Sequence, residues 1–281
     1  MYPIILREDL TPQIHLFQVE APLVARKAQP GQFVILRIDE TGERIPLTIA
    51  DYERASGLVS VVVMEVGKTT RHLAKLEPGD SLANFAGPLG MPSEIEKFGT
   101  VVTVSGGFAI AAIMPVAKAL KEAGNRLISI AGARSQNLLF WLDRLGQVSD
   151  ELIATTDDGS FGRKGLVTEP LKEILEREKV DRVIAIGPAI MMKFSSLTTQ
   201  PYGVKTIVSL NPIMIDGTGL CGGCRVSVGG ATRFACVDGP DFDGHQVDWD
   251  LLFARQRVYL GEEKLSLETW ETQHHCDRVS A

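Results

Sequence analysis

The pattern of hydrophobic residues changes near Gly99, and this change restricts the chain to a two-part architecture. Before Gly99, short β-like runs such as GQFVILRI and LVSVVVMEV are separated by turns at Pro30-Gly31 and Pro78-Gly79. Short strands at this spacing are typical of a small antiparallel barrel. After Gly99, apolar strands alternate with helical stretches, which indicates βαβ units and a parallel sheet. The sequence therefore predicts a β-barrel followed by an α/β parallel-sheet domain.

Four segments follow from this change and from the composition further along. We expect the barrel over residues 1–98, interrupted by one helix near 70–76, and the α/β domain over 99–208. A segment rich in Gly, Cys and Asp covers 209–250, and a charged, weakly patterned tail covers 251–281. The turns SGG, GARSQN, TTDDGS and IGP fall at the carboxyl ends of strands, where parallel sheets bind ligands. They predict one ligand site at that edge.

Length and charge exclude several classes of protein. The 281 residues are 44% hydrophobic and 23% charged, as in an ordinary globular protein. The formal net charge of −6 provides no basic surface for nucleic acid. The apolar stretch 101–120 contains Thr, Ser, Gly and Pro residues, so we interpret it as strand, turn and helix, not as a membrane span. The N-terminus has acidic and polar residues where a signal peptide is basic and then apolar. We therefore expect a cytoplasmic protein with no membrane partner.

The strongest chemical signal is the sequence DGTGLCGGC with a later FAC. Asp216, Cys221 and Cys224 reproduce the C-x4-C-x2-C spacing of plant-type [2Fe–2S] loops with a carboxylate in the first position, and Cys236 supplies the distant fourth donor. The glycines between them suit a backbone that wraps a cluster closely. This spacing favours an iron–sulfur cluster.

A zinc ribbon is the alternative for the same residues. Zinc accepts three thiolates and one oxygen ligand, but structural zinc sites favour four cysteines, or three cysteines and a histidine, in paired knuckles. Cys276 stands apart, next to His274 and His275 in the polar tail. We interpret it as a bystander, since a lone cysteine in such a tail is seldom a ligand.

Two weaker patterns in the barrel region suit a phosphate. The run Arg44-Ile-Pro-Leu-Thr-Ile contains a side chain that can bind phosphate through two hydrogen bonds, and the hydroxyl of Thr48 follows it. Gly67-Lys-Thr-Thr opens the predicted helix, and helix N-termini favour phosphate. Each pattern alone is more often plain structure.

The α/β domain has a reduced nucleotide turn. Of the G-x-G-x-x-G pattern, only Gly106 and Gly107 remain after the first strand, and a turn without a ligand explains them equally well. Asp157 and Asp158 are adjacent in a loop, so we expect turn geometry and a ribose contact from them, not acid–base catalysis. No catalytic side chain is predicted.

Together, the motifs RIPLTIA, VGKTT, GPLG, TDDGSFGRKGLVT, IGPAIMM and NPIMIDGTGLCGGCRVSVGG resemble the ferredoxin–NADP reductase superfamily. Within it they resemble the small subunits of NADH-dependent reduced ferredoxin:NADP oxidoreductases, also called sulfide dehydrogenase small subunits. The resemblance extends to about Tyr259. Electron transfer subunits of dihydroorotate dehydrogenase are similar throughout but have cysteine at the position of Asp216.

The resemblance implies that FAD binds the barrel, NAD(H) the α/β domain, and a [2Fe–2S] cluster the segment 209–250. The implied FAD contacts are Arg44, Pro46, Leu47, Thr48, Ile49, Gly67, Lys68, Thr69 and Thr70. The implied NAD(H) contacts are Gly106, Gly107, Asp158 and Gly187. The implied cluster ligands are Asp216, Cys221, Cys224 and Cys236.

The implied activity is electron transfer. Hydride moves between nicotinamide and FAD, and the cluster passes single electrons to a larger flavo-iron–sulfur subunit, which in this family bifurcates electrons between NADP and ferredoxin. One departure weakens the NAD(H) expectation. The family's turn is GGG-x-G-x-A-P, and here Ser105 and Ala109 replace glycines, so their Cβ atoms crowd a pyrophosphate.

Two other functions stay open at this point. One is an electron transfer subunit of a dihydroorotate dehydrogenase, and the other is a zinc-stabilised nucleotide-binding interaction module. The tail 251–281 is a candidate partner contact.

Overall fold

The N-terminal third forms one seven-stranded antiparallel sheet that is nearly closed into a barrel. The computed structural model describes residues 1–274. The barrel strands are β1 (Tyr2–Thr11), β2 (Ile14–Glu20), β3 (Phe33–Arg37), β4 (Ile45–Glu53), β5 (Leu58–Met64), β6 (Ser81–Leu82) and β7 (Asn84–Leu89). They pair in the order β6-β1-β2-β5-β4-β3-β7. The predicted barrel is confirmed.

Two short helices interrupt the barrel, one more than predicted. Helix α2 (Lys68–Leu73) forms two residues earlier than expected, and α1 (Pro22–Lys27) was not predicted. Six residues are too few to show a helical period, but a proline in the first turn and two basic residues in the last turn favour α1.

The second half is the predicted α/β domain. Its strands are β8 (Thr100–Gly106), β9 (Arg126–Ala133), β10 (Glu151–Thr156), β11 (Arg163–Lys164), β12 (Arg182–Ile186) and β13 (Thr206–Ser209). Its helices are α3 (Ile110–Glu122), α4 (Leu142–Val148), α5 (Thr168–Arg177) and α6 (Ala189–Thr199). The strands from β8 to β13 pair in parallel in the order β11-β10-β9-β8-β12-β13. Their carboxyl ends carry the polar turns, as expected.

The Cys-rich segment forms a small hairpin and then joins the parallel sheet. Strands β14 (Arg225–Val228) and β15 (Ala231–Phe234) pair with each other. Strand β16 (Asp241–Asp243) then adds antiparallel to β13, with Phe242 opposite Val208. This edge strand has three residues, too few for a period to predict it.

The tail contains two further helices, α7 (Trp249–Gln256) and α8 (Leu260–His274). Sequence analysis did not predict them. The side chain of Asp248 caps α7 by accepting a hydrogen bond from the backbone N–H of Leu251 at 3.0 Å. Apolar and charged residues are spread around α8, so it has no apolar stripe to recognise. Within residues 1–274, no helix is both long and apolar enough to cross a bilayer.

Three apolar clusters form the core. One fills the barrel, and one lies between the parallel sheet, α3 and the barrel strands β2, β4 and β5. The third joins all three parts of the chain, because Phe33 and Ile35 of β3 belong to it together with Val104 of β8, Cys224 and Cys236. The Cys-rich hairpin is therefore anchored against both the barrel and the parallel sheet.

Candidate cofactor site

Three of the four predicted cluster ligands flank the small hairpin of the Cys-rich segment, two before β14 and one after β15. The sulfur atoms of Cys224 and Cys236 are both buried and lie 3.1 Å apart, whereas Cys221 is exposed at the tip of the loop. The backbone N–H of Gly223 lies 3.4 Å from the sulfur of Cys221, and the backbone of Gly219 donates to Cys236. Burial and the adjacent thiol of Cys224 raise the pKa of Cys236.

The fourth predicted ligand, Asp216, is held by its own loop. Its Oδ2 accepts hydrogen bonds from the hydroxyl of Thr218 and, at 3.2 Å, from the backbone N–H of Thr218. These hydrogen bonds, and more weakly the charge of Arg44, lower the pKa of Asp216. The carboxylate is therefore ionised at neutral pH, as a metal ligand must be.

The four donors are not gathered around one point. Within residues 1–274, no group of three or more His, Cys, Asp and Glu side chains is arranged to hold a single metal ion. The chemistry of the donors nevertheless fits a two-iron cluster, because three thiols and an ionised carboxylate share one glycine-rich segment and backbone N–H groups point at sulfur. The ligand assignment stays a prediction.

The loop of the predicted cluster packs directly on the barrel. A Cβ built on Gly217 would lie 2.8 Å from Leu89 Cδ1 and 2.9 Å from Ile35 Cγ1, so only glycine fits there. Gly217 also has a φ of +80°, which disfavours any other residue. The loop thus touches β3 and β7, and the charge of Arg44 reaches Asp216 from the barrel.

The predicted FAD contacts lie together on one side of the barrel. Arg44 is exposed just before β4, and Pro46 to Ile49 are the first part of that strand, with Thr48 opposite Phe33 of β3. At the start of α2, the hydroxyl of Thr70 accepts the backbone N–H groups of Val66 and Gly67, both at 2.9 Å. The two patterns from the barrel sequence therefore belong to one surface.

The carboxylate of Glu43 contacts two of the predicted phosphate-binding residues on this surface. The carboxylate of Glu43 hydrogen bonds to the hydroxyl of Thr69 and lies 3.5 Å from Lys68 Nζ. The pairing fits a phosphate-binding role for Lys68 and Thr69, since they hold an anionic oxygen group here. No sequence motif indicates Glu43, because its contact with residues 68–69 exists only in the folded barrel.

The predicted NAD(H) residues separate into two groups. Gly106 and Gly187 are packed against each other, since a Cβ on Gly187 would lie 3.1 Å from Gly106 Cα. A Cβ on Gly106 would lie 2.7 Å from the ring of Pro188. Close packing of β8 against the turn after β12 is sufficient to explain these two glycines.

Asp158 instead lines a cavity of about 570 Å³ at the carboxyl ends of β9 and β10. Its Oδ1 accepts the backbone N–H of Ser160 at 2.9 Å and the Ser160 hydroxyl at 2.6 Å, which lowers the pKa of Asp158. The other lining residues are Leu10, Thr11, Pro12, Ser135, Gln136, Asn137, Leu139 and Ser160. The hairpin between β1 and β2 thus forms one wall, which sequence analysis missed.

A larger cleft of about 760 Å³ lies at the opposite end of β4. Arg26, Lys27 and Arg54 line it, but none of the predicted site residues does. Arg54 donates to the carbonyl oxygen of Ala28 at 3.0 Å and stacks on Tyr52, so it supports the barrel.

We expect Gly106→Ala to destabilise the protein by about 1–3 kcal/mol, because the added methyl group collides with the Pro188 ring in a packed site. Gly107→Ala is the matched control. Gly107 has a φ of +57° but open space around its Cβ position, so about 1–2 kcal/mol of backbone strain is the whole expected cost. Urea unfolding measures both. If alanine at 106 is tolerated better than at 107, the packing explanation is wrong.

Residues 211–248 match the model of the iron–sulfur cluster binding domain of dihydroorotate dehydrogenase B. This range contains all four predicted cluster ligands.

Full-length relatives are also similar to the chain. A Thermotoga maritima protein, the electron transfer subunit homolog of dihydroorotate dehydrogenase B (NAD(+)), is 48% identical over 94% of both chains. The corresponding electron transfer subunit of Desulforamulus reducens is 32% identical over 86% of this chain and 95% of its own. A chain in the structure of an NADH-dependent reduced ferredoxin-NADP oxidoreductase, studied for flavin-based electron bifurcation, is 47% identical, with a TM-score of 0.91 over 96% of this chain and 98% of its own.

Proposed function

The chain belongs to the family of dihydroorotate dehydrogenase B electron transfer subunits and their homologues, and from this membership we propose that it is the electron-transfer flavoprotein subunit of a ferredoxin:NAD(P) oxidoreductase complex. The resemblance inferred from the motifs is thereby confirmed. The chain moves electrons between NAD(H), FAD and a [2Fe–2S] cluster and delivers them to a larger flavin and iron–sulfur subunit. That larger subunit bifurcates electrons and reaches ferredoxin through the complex.

The observation that carries this proposal is the contact between the cluster loop and the barrel. Gly217 lies against Leu89 and Ile35, and the charge of Arg44 acts on Asp216. The predicted flavin surface and the predicted cluster ligands are therefore neighbours, as electron transfer between two cofactors requires.

The barrel side chains bind and orient the flavin. Arg44 would hold the pyrophosphate through its fork of N–H groups, and Leu47, Thr48 and Ile49 would contact the ring system. Lys68 and Thr69, which contact the carboxylate of Glu43, would contact a phosphate oxygen when FAD binds. When bound, FAD accepts two electrons as a hydride and releases them singly, and the cluster carries one electron at a time.

The Cys-rich hairpin holds the cluster and adjusts its potential. Cys224 and Cys236, which are buried, and Cys221, which is exposed, would supply its three thiolates. Backbone N–H groups from Gly219 and Gly223 donate to sulfur, which stabilises the more negative, reduced form. Thr218 fixes the rotamer of Asp216.

The nicotinamide nucleotide occupies the carboxyl edge of the parallel sheet. The cavity beside Asp158 is built by the barrel and the sheet together, which brings a bound nucleotide toward the flavin domain. Gly106 and Gly187 shape the turn by packing against each other. The cytoplasmic location stays a prediction from the sequence.

Anaerobic reduction tests the function directly. Addition of NADH to the purified protein should bleach the flavin absorption, and the cluster should then give the electron paramagnetic resonance signal of a reduced [2Fe–2S] centre. If the protein contains flavin and iron but stays oxidised after NADH is added, the proposed electron transfer from NADH to FAD is wrong. If the purified protein contains no iron, the proposed function is wrong.

A second candidate is the electron transfer subunit of a true dihydroorotate dehydrogenase. The names of the relatives favour it, since proteins at 32% and 48% identity are named after that enzyme. Asp216 argues against it, because the resemblance implies cysteine at this position in those subunits. The partner that copurifies with the chain decides between the two.

The zinc-stabilised module is the least supported function. Structural zinc sites favour four cysteines, or three cysteines and a histidine, in paired knuckles, whereas this segment offers three cysteines and an aspartate at the spacing of a plant-type [2Fe–2S] loop. If metal analysis finds zinc and no iron, the zinc-stabilised module becomes the favoured function.

We expect Asp216→Cys to keep the cluster and lower its midpoint potential. A thiolate donates more electron density to iron than a carboxylate does, so the oxidised form is favoured. Redox titration followed by electron paramagnetic resonance measures the shift, with Asp238→Asn in the same segment as the control. An unchanged potential in Asp216→Cys means that Asp216 is not a ligand.

The larger subunit should dock around the exposed tip of the cluster loop. Leu220, next to Cys221, is 88% exposed, and Ile215 and Val237 nearby are also exposed apolar residues. We expect Leu220→Glu to weaken the complex at least tenfold, about 1.4 kcal/mol, by placing a charge in an apolar interface. Leu23→Glu, at an exposed position on α1 in the barrel, is the matched control. Equal binding of both variants in a copurification or calorimetry assay contradicts this docking site.

A further inference from the structure

The two tail helices connect the cluster loop to the helix at the predicted flavin phosphate site. Helix α7 ends beside the Cys-rich segment, and α8 runs from there to α2 in the barrel. At 1.5 Å per residue, the 15 residues of α8 span about 22 Å. We call residues 249–274 the C-terminal arm.

At its first end, the arm binds the cluster loop. Arg255 Nη2 donates to the carbonyl oxygen of Gly223 at 2.9 Å, between Cys221 and Cys224. Gln256 donates to the backbone carbonyl of Asn211 at 3.1 Å, where the Cys-rich segment begins. The arm therefore holds the segment at its entry and at its ligand-bearing tip.

The guanidinium of Arg255 is not explained by stability alone. Its Nε–H is buried and has no hydrogen-bond partner among residues 1–274. A buried donor without a partner lowers stability, and such groups in native structures often have a functional reason. Here the positive charge lies against a loop whose predicted cluster gains negative charge on reduction.

At its second end, the arm packs on α2. Glu271 forms an ion pair with Arg71, and the ring of Trp270 lies 4.5 Å from Lys75 Nζ and 6.4 Å from the His72 ring. The predicted phosphate contacts, Gly67 to Thr70, are in the first turn of the same helix. A six-residue helix depends on tertiary contacts. Leu73 already packs α2 into the barrel core, and the arm adds a second contact at its last turn and beyond.

Resting on the proposed function, we propose that the C-terminal arm positions both cofactor sites, with Arg255 as the positioning residue of the cluster loop and Trp270 as that of the flavin helix. The arm sets the cluster potential at one end and retains FAD at the other. The sequence predicts only a partner contact for the tail, and this proposal adds a role in positioning the two cofactor sites.

The flavin end is tested by FAD release from the complete, cofactor-loaded protein. Trp270→Ala should release FAD about tenfold faster on dilution, measured by the recovery of flavin fluorescence, because a ring contact and the packing of α2 are lost. Leu265→Ala, on the same helix at an exposed position, should release FAD at the wild-type rate. Glu271→Gln is the milder variant and should fall between them. If both Trp270→Ala and Glu271→Gln release FAD at the wild-type rate, the arm does not retain the flavin.

The cluster end is tested by the midpoint potential and the electron paramagnetic resonance spectrum. Arg255→Gln should lower the midpoint potential with the iron content unchanged. Arg255→Lys should have a potential close to that of the wild type, because it keeps the positive charge. An Arg255→Gln protein with the wild-type potential and spectrum overturns this end. A wild-type protein that binds neither FAD nor iron overturns the proposed function instead, so the two failures are distinguishable.

Discussion

Replacing Cys236 by alanine should remove the iron from the purified protein while the flavin stays bound. Cys236 is buried, 3.1 Å from Cys224, and accepts a backbone hydrogen bond from Gly219, so no exposed side chain can take its place. With one of the four donors missing, an iron atom of the cluster would lack a protein ligand, and the cluster would be lost. Iron analysis and the absorption of the cluster measure the effect, and the flavin absorption reports that the barrel is intact.

Cys276→Ala is the matched control, since it removes a thiol that lies outside the described residues and that we interpret as a bystander. Its iron content should equal that of the wild type. Retention of full iron in Cys236→Ala, or loss of iron in Cys276→Ala, would contradict the ligand set. Substitution of a small buried thiol by alanine removes little volume, so the fold should tolerate the change.

The parts of the fold that the sequence predicts are those whose pattern is long enough to read. Strands β8 and β9 and helix α3 are apolar stretches of seven to thirteen residues, and the expected segments lie within a few residues of the observed ones. Helix α1 and strand β16 have six and three residues, less than two full periods of their pattern. Helix α8 is long but lacks an apolar stripe, and most of its described residues are exposed.

The candidate site also has features that the local sequence predicts and features that depend on contacts between distant residues. The ligand spacing from Asp216 to Cys224 is local, so it is visible in the sequence and predicts a cluster. The contacts of Glu43 with Thr69 and of Arg255 with Gly223 join residues that are far apart along the chain. The packing of Gly106 on Gly187 is equally non-local and gives a structural role to glycines that a nucleotide motif alone assigns to ligand binding. Only the fold brings these residues together.

Arg44→Gln should weaken FAD binding about ten- to a hundredfold while leaving the iron content unchanged. A charge-assisted hydrogen bond to phosphate contributes about 1.5–3 kcal/mol, and 1.4 kcal/mol corresponds to tenfold in affinity. Arg44 is exposed, so the substitution removes no packed core atoms. Fluorescence quenching during titration of FAD into flavin-free protein measures the affinity. Arg54→Gln, at the other end of β4, is the control and should bind FAD as the wild type does.

Arg44→Lys separates charge from geometry in the same assay. Lysine keeps the positive charge but lacks the planar fork, so we expect an affinity between those of the wild type and Arg44→Gln. The carboxylate of Asp216 stays ionised in both variants, because the hydrogen bonds from Thr218 lower its pKa more than Arg44 does. The iron content should therefore stay unchanged while FAD binds more weakly, which would assign Arg44 to the flavin and not to the iron. If Arg44→Gln binds FAD with wild-type affinity, the pyrophosphate binds elsewhere on the barrel. The contact between this surface and the cluster loop would then no longer support electron transfer between the two cofactors.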